Sequence, residues 1–150
     1  MDRIDRKLLN LMQRDASRTN VEMAEEVGLS PSSCLRRVQR LHKSGVIERI
    51  VAILNPARAG RVIKALVTVE LKLHGEQHMR RFLDKAIAEE AVSQAYAVTG
   101  ASDAILMMRL RDMEEFHALC DRLFQDETNV ARYVTMIVIR TAKEETAIRL

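Results

Sequence analysis

Two helical stretches with only Gly28-Leu29-Ser30 between them constrain this chain more than any other feature. Thr19-Asn20-Val21-Glu22 has the capping-box pattern, Thr as N-cap and Glu three residues on. It opens a short helix whose apolar positions are Met23, Ala24 and Val27, and Gly28 stops it. Ser30-Pro31 then restarts a helix at once, Ser as N-cap and Pro at the first helical position. So short a connection forces the two helices to cross at a steep angle, which is the helix-turn-helix arrangement. Upstream, Ile4, Leu8, Leu11 and Met12 fall on one face of a first helix, with Asp2 placed to cap it.

The third helix is expected to bury Cys34, Leu35, Val38 and Leu41 and to end at Gly45. This leaves Ser32, Ser33, Arg36, Arg37, Arg40 and Lys43 for other faces. Arg36, Arg40 and Lys43 recur at i, i+4 and i+7 as a basic stripe, and the helix carries no acid. A recognition helix reads base edges from its N-terminal half and grips phosphates with Arg and Lys along its length. Ser32, Ser33 and Arg36 are therefore the expected base readers, and Arg37, Arg40 and Lys43 the expected phosphate contacts. A stripe of this kind standing alone is more often a solvated face; the capped helix and tight turn before it shift the balance. Residues 1–61 hold 12 Lys and Arg against 7 Asp and Glu, while residues 62–150 hold 12 against 14. A basic first part suits a polyanionic partner.

Residues 46–54 (VIERIVAIL) are rich in Val and Ile, as a strand or tight hairpin acting as a wing would be. Asn55-Pro56 and Gly60 mark a linker, placed at residues 55–61. The period then changes. Val67, Val69, Leu71 and Leu73 alternate with Thr68, Glu70 and Lys72, as in a strand. Met79, Phe82, Leu83, Ala86 and Ile87 return to helical spacing, and strand-like runs follow near 92–99 and 104–111 around Gly100-Ala101-Ser102-Asp103. Phe116, Leu119, Cys120, Leu123 and Phe124 form another helical stripe capped by Asp112, and residues 130–141 close as a strand. The order βαββαβ is the ferredoxin-like arrangement. The predicted fold class is thus α+β: a winged helix-turn-helix domain over residues 1–54 and a ferredoxin-like domain over 62–150. Two helices cover one face of a four-stranded sheet, yet ILMMRL (105–110) and YVTMIVI (133–139) are apolar on both sides. Such strands expect cover on both faces, and a second copy of the domain supplies it, so a homodimer is expected.

VGLSPSSCLRRVQRLHKSGVIERIVAILNP (27–56) resembles the signature of the leucine-responsive/asparagine-responsive (Lrp/AsnC) regulator family, and DRIDRKLLNLMQRDASRTNVEMAEEVGLS extends the likeness to the N-terminus. The later βαββαβ order is similar to that family's amino-acid-responsive domain. The resemblance implies a transcription regulator that binds double-stranded DNA, forms dimers that assemble further, often to octamers, and responds to an amino-acid effector. It also implies an effector site around the Gly-x-x-Asp turn, here Gly100, Ala101, Ser102 and Asp103, with Ala97, Thr99 and Met113 nearby and Tyr133, Val134 and Thr135 from the last strand. Exposed N–H groups at a glycine turn can receive a ligand carboxylate, and Asp103 can receive its ammonium. Ala101 stands where many relatives carry an acid or Asn, which keeps an effector-independent architectural DNA-binding protein of the same fold as the second reading.

Other chemistry has little support. His74 and His78 straddle Gly75 at a strand-to-helix junction, where a shared metal-binding face is disfavoured. Glu114-Glu115 lies in a first helical turn, where acids suit the helix dipole. No convergent acid, base and nucleophile, P-loop or dinucleotide glycine motif accompanies them, so no enzyme activity, metal or cofactor is expected. Cys34 and Cys120 lack CxxC spacing and read as reduced, buried thiols. No apolar run nears the roughly 20 residues of a membrane span, and the first residues lack a signal-peptide core; a cytoplasmic location is the expectation.

Overall fold

Side-chain caps fix where the first three helices begin. The computed structural model describes residues 1–125 and 129–150. Its first helix, α1 (Arg3–Arg14), is opened by a reciprocal box: Asp2 Oδ1 accepts the N–H groups of Ile4 and Asp5, and Asp5 Oδ2 accepts that of Asp2, each at 2.9 Å. Helix α2 (Asn20–Val27) has the expected Thr19–Glu22 box and ends at Gly28, whose φ of 73° is left-handed. Helix α3 (Pro31–Lys43) starts on the Ser30 hydroxyl, which accepts the Ser33 N–H. Leu8, Met23, Ala24 and Cys34 are buried together, with Ile4, Met12, Val27, Leu29 and Val38 packed around them.

The chain divides into one unit of Met1–Ile53 with Ala142–Leu150 and another of Leu54–Thr141. The last nine residues, which sequence alone attaches to the second domain, lie with the helical unit. Gln13 Nε2 donates to the Ile148 carbonyl at 3.0 Å while Ile148 N–H donates to Gln13 Oε1 at 2.7 Å. Together with Leu9, Met12, Val46 and Ile50, Ile148 lines a largely apolar groove of about 470 Å³.

Two sequence expectations for this unit need correction. Leu35 is not in the core but 42% exposed. Its helical position falls between the buried side, centred on Cys34, Val38 and Leu41, and the solvent side, a distinction of some tens of degrees that the apolar pattern did not resolve. The wing is also absent: residues 48–55 carry no strand, and Ile50, Val51, Ile53 and Leu54 are exposed. A strand exists only against a hydrogen-bonding neighbour, and among the described residues none pairs with this segment.

In the second unit, β1 (Ile63–Leu71), α4 (Glu76–Ile87), β2 (Val92–Ala97), β3 (Ala104–Leu110), α5 (Met113–Cys120) and β4 (Val130–Ile137) follow one another, with a π-helical turn at Asp121–Gln125 after α5. Among the described residues the antiparallel sheet has the order β2-β3-β1-β4. One face packs Ala65, Val67, Val69, Leu71, Ala104, Leu106, Met108 and Leu110 against Phe82, Ala86, Phe116, Leu119 and Leu123. Strand β4 stops short of the expected residue 141 because its partner ends. Ala65 faces Ile137, Val138 N–H reaches Lys64 O at 2.9 Å, and β1 begins at Ile63. Leu73 likewise falls outside β1 and is exposed. The opposite sheet face carries Leu66, Tyr96, Ile105, Met107, Val134 and Met136 together with Lys64, Thr68, Glu70, Arg109 and Arg132, all partly or fully exposed in the single chain.

Gly28 joins α2 to α3 in a conformation that L-residues pay about 1–2 kcal/mol to adopt, and a Cβ there would meet nothing within 4 Å. Gly28→Ala should therefore lower stability by about 1 kcal/mol through the backbone alone. Gly28→Asn, which tolerates this region, should lose less. Thermal unfolding followed by circular dichroism checks both; an Ala variant as stable as wild type would contradict this role for the turn.

Candidate functional site

The side chains of α3 divide into three sets. Cys34 and Leu41 are buried and Val38 is half-buried against α1 and α2. A second set turns to α1. Arg37 Nη1 donates to Asp2 Oδ2 at 2.7 Å and Asp5 Oδ1 at 2.8 Å, and Arg40 Nη2 donates to both Asp5 oxygens at 2.9 and 2.8 Å. Asp5, only 1% exposed, is the one buried charged residue among those described. Burial pushes its carboxyl up, but the Asp2 N–H, Arg37 and Arg40 outweigh that and hold it below the ordinary value. Asp2, bonded by the Asp5 N–H and by Arg37, is lowered to about 2.

The third set faces water: Ser32, Arg36, Gln39 and Lys43 are exposed. Among the predicted base readers, Ser32 and Arg36 therefore stand on the open face, whereas the Ser33 hydroxyl accepts from Ser30 within the cap. Among the predicted phosphate contacts, Lys43 is open, Arg40 keeps 60% of its side chain exposed while bonded to Asp5, and Arg37 is the most enclosed at 25%. Sequence reading missed Asp5 and Gln39. Asp2-x-x-Asp5 could have signalled the capping box, but nothing local to α1 tells that Asp5 is roofed by two arginines more than 30 residues away.

In the second unit, the turn at 98–103 leaves Thr99, Gly100 and Ala101 exposed, and Gly100 has φ 129°. The turn is tied down by three bonds: Val98 N–H to Asp103 O at 2.9 Å, Asp103 N–H to Val69 O at 2.9 Å, and Leu71 N–H to Asp103 Oδ2 at 2.8 Å. The remaining Asp103 oxygen lies 3.4 Å from His74 Nδ1, a neighbour that the spacing of His74 and His78 does not announce. Ala97 ends β2 opposite Ala104, and Ser102 is half-buried. Tyr133 pairs with Val69 from the other side of β1, so Val69 links the turn to β4. The Tyr133 ring stacks on Phe124 at 4.3 Å. The Thr135 hydroxyl oxygen is buried without a partner among the described residues, and Val134 points to the opposite sheet face. Met113 is not brought to the turn within one chain: it begins α5 beyond the far end of β3, about 20 Å of strand away. Neither the 470 Å³ groove nor two open hollows along α4 are lined by turn residues.

Among the described residues, no cluster of three or more His, Cys, Asp or Glu could hold a metal ion, and no helix is long and apolar enough to cross a membrane. Cys120 is buried and its thiol is pushed up to about 11 by that burial, with Asp121 adding to it and Tyr133 opposing. Burial raises Cys34 too. Both are poor nucleophiles, because the thiolate is the reactive form.

Comparison with known proteins matches two family descriptions, "AsnC-type helix-turn-helix domain" over residues 1–42 and "Lrp/AsnC ligand binding domain" over 64–148. The leucine-responsive regulatory protein of Rhizobium meliloti is 34% identical over 144 residues, 96% of this chain and 92% of that protein. The crystal structure of an AsnC family transcriptional regulator from Agrobacterium tumefaciens superimposes with a TM-score of 0.93 at 27% identity, covering 99% of this chain and 96% of that one. A transcriptional regulator from Neisseria meningitidis, solved as its complex with L-Met, gives 0.90 at 27% identity with the same coverage.

The Asp2–Asp5–Arg37–Arg40 cluster makes the helical unit acid-sensitive. Both carboxyls titrate lower folded than unfolded, so their contribution is complete above the ordinary Asp value of about 4 and is lost as pH falls through the folded values. Amide exchange in α1 and α3 should accelerate between about pH 4 and 2 beyond the intrinsic trend. Asp5→Ala, which leaves two arginines facing an empty acceptor, should cost about 2–3 kcal/mol at neutral pH and flatten that acid dependence. A variant as stable as wild type at pH 7 would show the cluster to be energetically idle.

Proposed function

Because this chain belongs to the Lrp/AsnC family of transcription regulators, we propose that it binds double-stranded DNA sequence-specifically through the open face of α3 and that an amino acid at the Gly100–Asp103 turn alters that binding or the protein's assembly. The chain is a helix-turn-helix regulator with a ligand-binding domain. Residues 1–54 act on DNA, residues 55–61 link, and residues 62–150 bind effector and self-associate, with the last of these residues reaching back to α1. The observation that carries the DNA half is the acid-free α3 with Arg36 and Lys43 exposed on one face. Ser32 and Arg36 read bases. Lys43 meets phosphate, Arg40 does so with the part of its guanidinium that Asp5 leaves open, and Ser33 and Arg37 serve mainly to hold the helix.

The effector half rests on the family's ligand-binding domain and on the relative crystallised with L-Met. The exposed Gly100 and Ala101 backbone suits a carboxylate, and Asp103 offers its oxygen nearest His74 to an ammonium. The turn is open in a single chain, and the uncovered sheet face bearing Leu66, Met107, Val134 and Met136 supports a homodimer that assembles further, on the family pattern to an octamer. Met113, remote from the turn in its own chain, reaches a site only if a neighbouring copy supplies it. The protein works in the cytoplasm, where the DNA is.

Two tests follow. Lys43→Ala removes one cation from the DNA-facing side of α3. It should weaken binding to every duplex alike and make the slope of log affinity against log salt shallower by about 0.9, the value for one phosphate left unneutralised; an unchanged slope would remove Lys43 from the interface. Asp103→Asn keeps the acceptor for Leu71 N–H but loses the charge. It should shift the ligand concentration for a half-maximal change in DNA binding by roughly 30-fold or more, while binding without ligand stays near wild type. An identical response across an amino-acid panel would make Asp103 a turn residue only. No response from wild type to any amino acid would favour the architectural reading.

A further inference from the structure

The open face of α3 contains one large apolar side chain, Leu35, among polar and basic ones. Ser32, Leu35, Arg36 and Gln39 stand at i, i+3, i+4 and i+7, the spacing of a single helix face. All four are exposed, and Leu35 is 42% accessible. Arg37 and Arg40 are drawn to Asp5 on one shoulder of the helix, and Leu35 occupies the other. The surroundings are cationic and polar, with no carboxylate on α3. Charge complementarity therefore points to nucleic acid as the surface that covers Leu35. The major groove presents one apolar group, the thymine C5-methyl. In the same groove Arg36 suits guanine O6 and N7, and Gln39 suits adenine N6 and N7.

We propose that Leu35 is a specificity-determining residue that packs against a thymine methyl in the major groove. Leu35 sits one position before Arg36, in the N-terminal half of α3, where a recognition helix approaches base edges most closely. The inference rests on the DNA-binding reading above and deepens it: the bound sequence contains a thymine whose methyl group contributes to affinity.

The test uses the full chain and a duplex enriched by the wild-type protein from a random-sequence library, with each thymine in turn replaced by uracil. Uracil keeps the pairing and removes only the methyl. At one position in each half-site the replacement should weaken wild-type binding about three- to fivefold, the worth of one buried methyl. Leu35→Ala should bind the thymine and uracil duplexes equally, near the wild-type affinity for uracil, and Leu35→Met, which restores an apolar contact, should recover the discrimination. Alanine is a good helix former and the site is exposed, so the variant is expected to fold; the uracil scan of the wild type decides half the question without it. The inference is overturned if no thymine is sensitive to uracil, if Leu35→Ala keeps the same discrimination, or if Leu35→Ala alters only the oligomer size. Failure to enrich any sequence would instead overturn the sequence-specific reading on which the inference depends.

Discussion

A single buried carboxylate organises the DNA-facing unit. Asp5 is enclosed by the capping N–H of Asp2 and by the guanidinium groups of Arg37 and Arg40. Removing either side would leave a charge or donor without its partner, which costs more than the intact cluster contributes. The apolar side of this unit buries Leu8, Leu9, Leu11, Met23, Ala24, Cys34 and Leu41, and the charged bonds between α1 and α3 add a fixed geometry to it. By drawing Arg37 and Arg40 to α1, the cluster sets which residues remain for a partner. Ser32, Leu35, Arg36, Gln39 and Lys43 stay outside the cluster, and Arg40 keeps 60% of its side chain exposed while bonded to Asp5. Of the three residues that sequence alone makes phosphate contacts, Arg37 and Arg40 are thus bonded to α1, and Lys43 is not held by the cluster.

The second unit is governed by incomplete cover. β1 is central, paired to β3 on one side and β4 on the other, and its alternate residues are fully buried under the helices. The same strands turn Leu66, Met107, Val134 and Met136 the other way. Antiparallel sheets tolerate one wet face, but that face is normally polar; here exposed apolar side chains share it with Lys64, Glu70, Arg109 and Arg132. The β-branched segment at 48–54 also has no strand neighbour among the described residues. Both features leave apolar side chains exposed in the single chain.

Much of this was legible in the sequence because the signals are local. Thr19–Glu22, Ser30-Pro31 and Asp112 state their helix starts in the cap residues themselves, and Gly28 states the turn. Period-two alternation located β1, whose one face is deeply buried, and a continuous apolar run located β3. The failures concern information carried between distant residues. The end of β4 depends on where β1 begins. Asp5 looks like an ordinary first-turn acid until α3 is laid over it. Leu35 fits an apolar stripe by count yet lies off its centre. The docking of residues 142–150 on Gln13 is a pair of backbone-directed bonds with no sequence pattern.

The central claim is that one chain joins sequence-specific DNA recognition to a small-molecule response. Its most direct test is recovery of genomic fragments by the wild-type protein, with and without a mixture of the protein amino acids, followed by sequencing. The predicted result is a discrete set of enriched fragments whose recovery changes when the amino acids are added. Fragments recovered in proportion to their input, unaffected by the mixture, would contradict it.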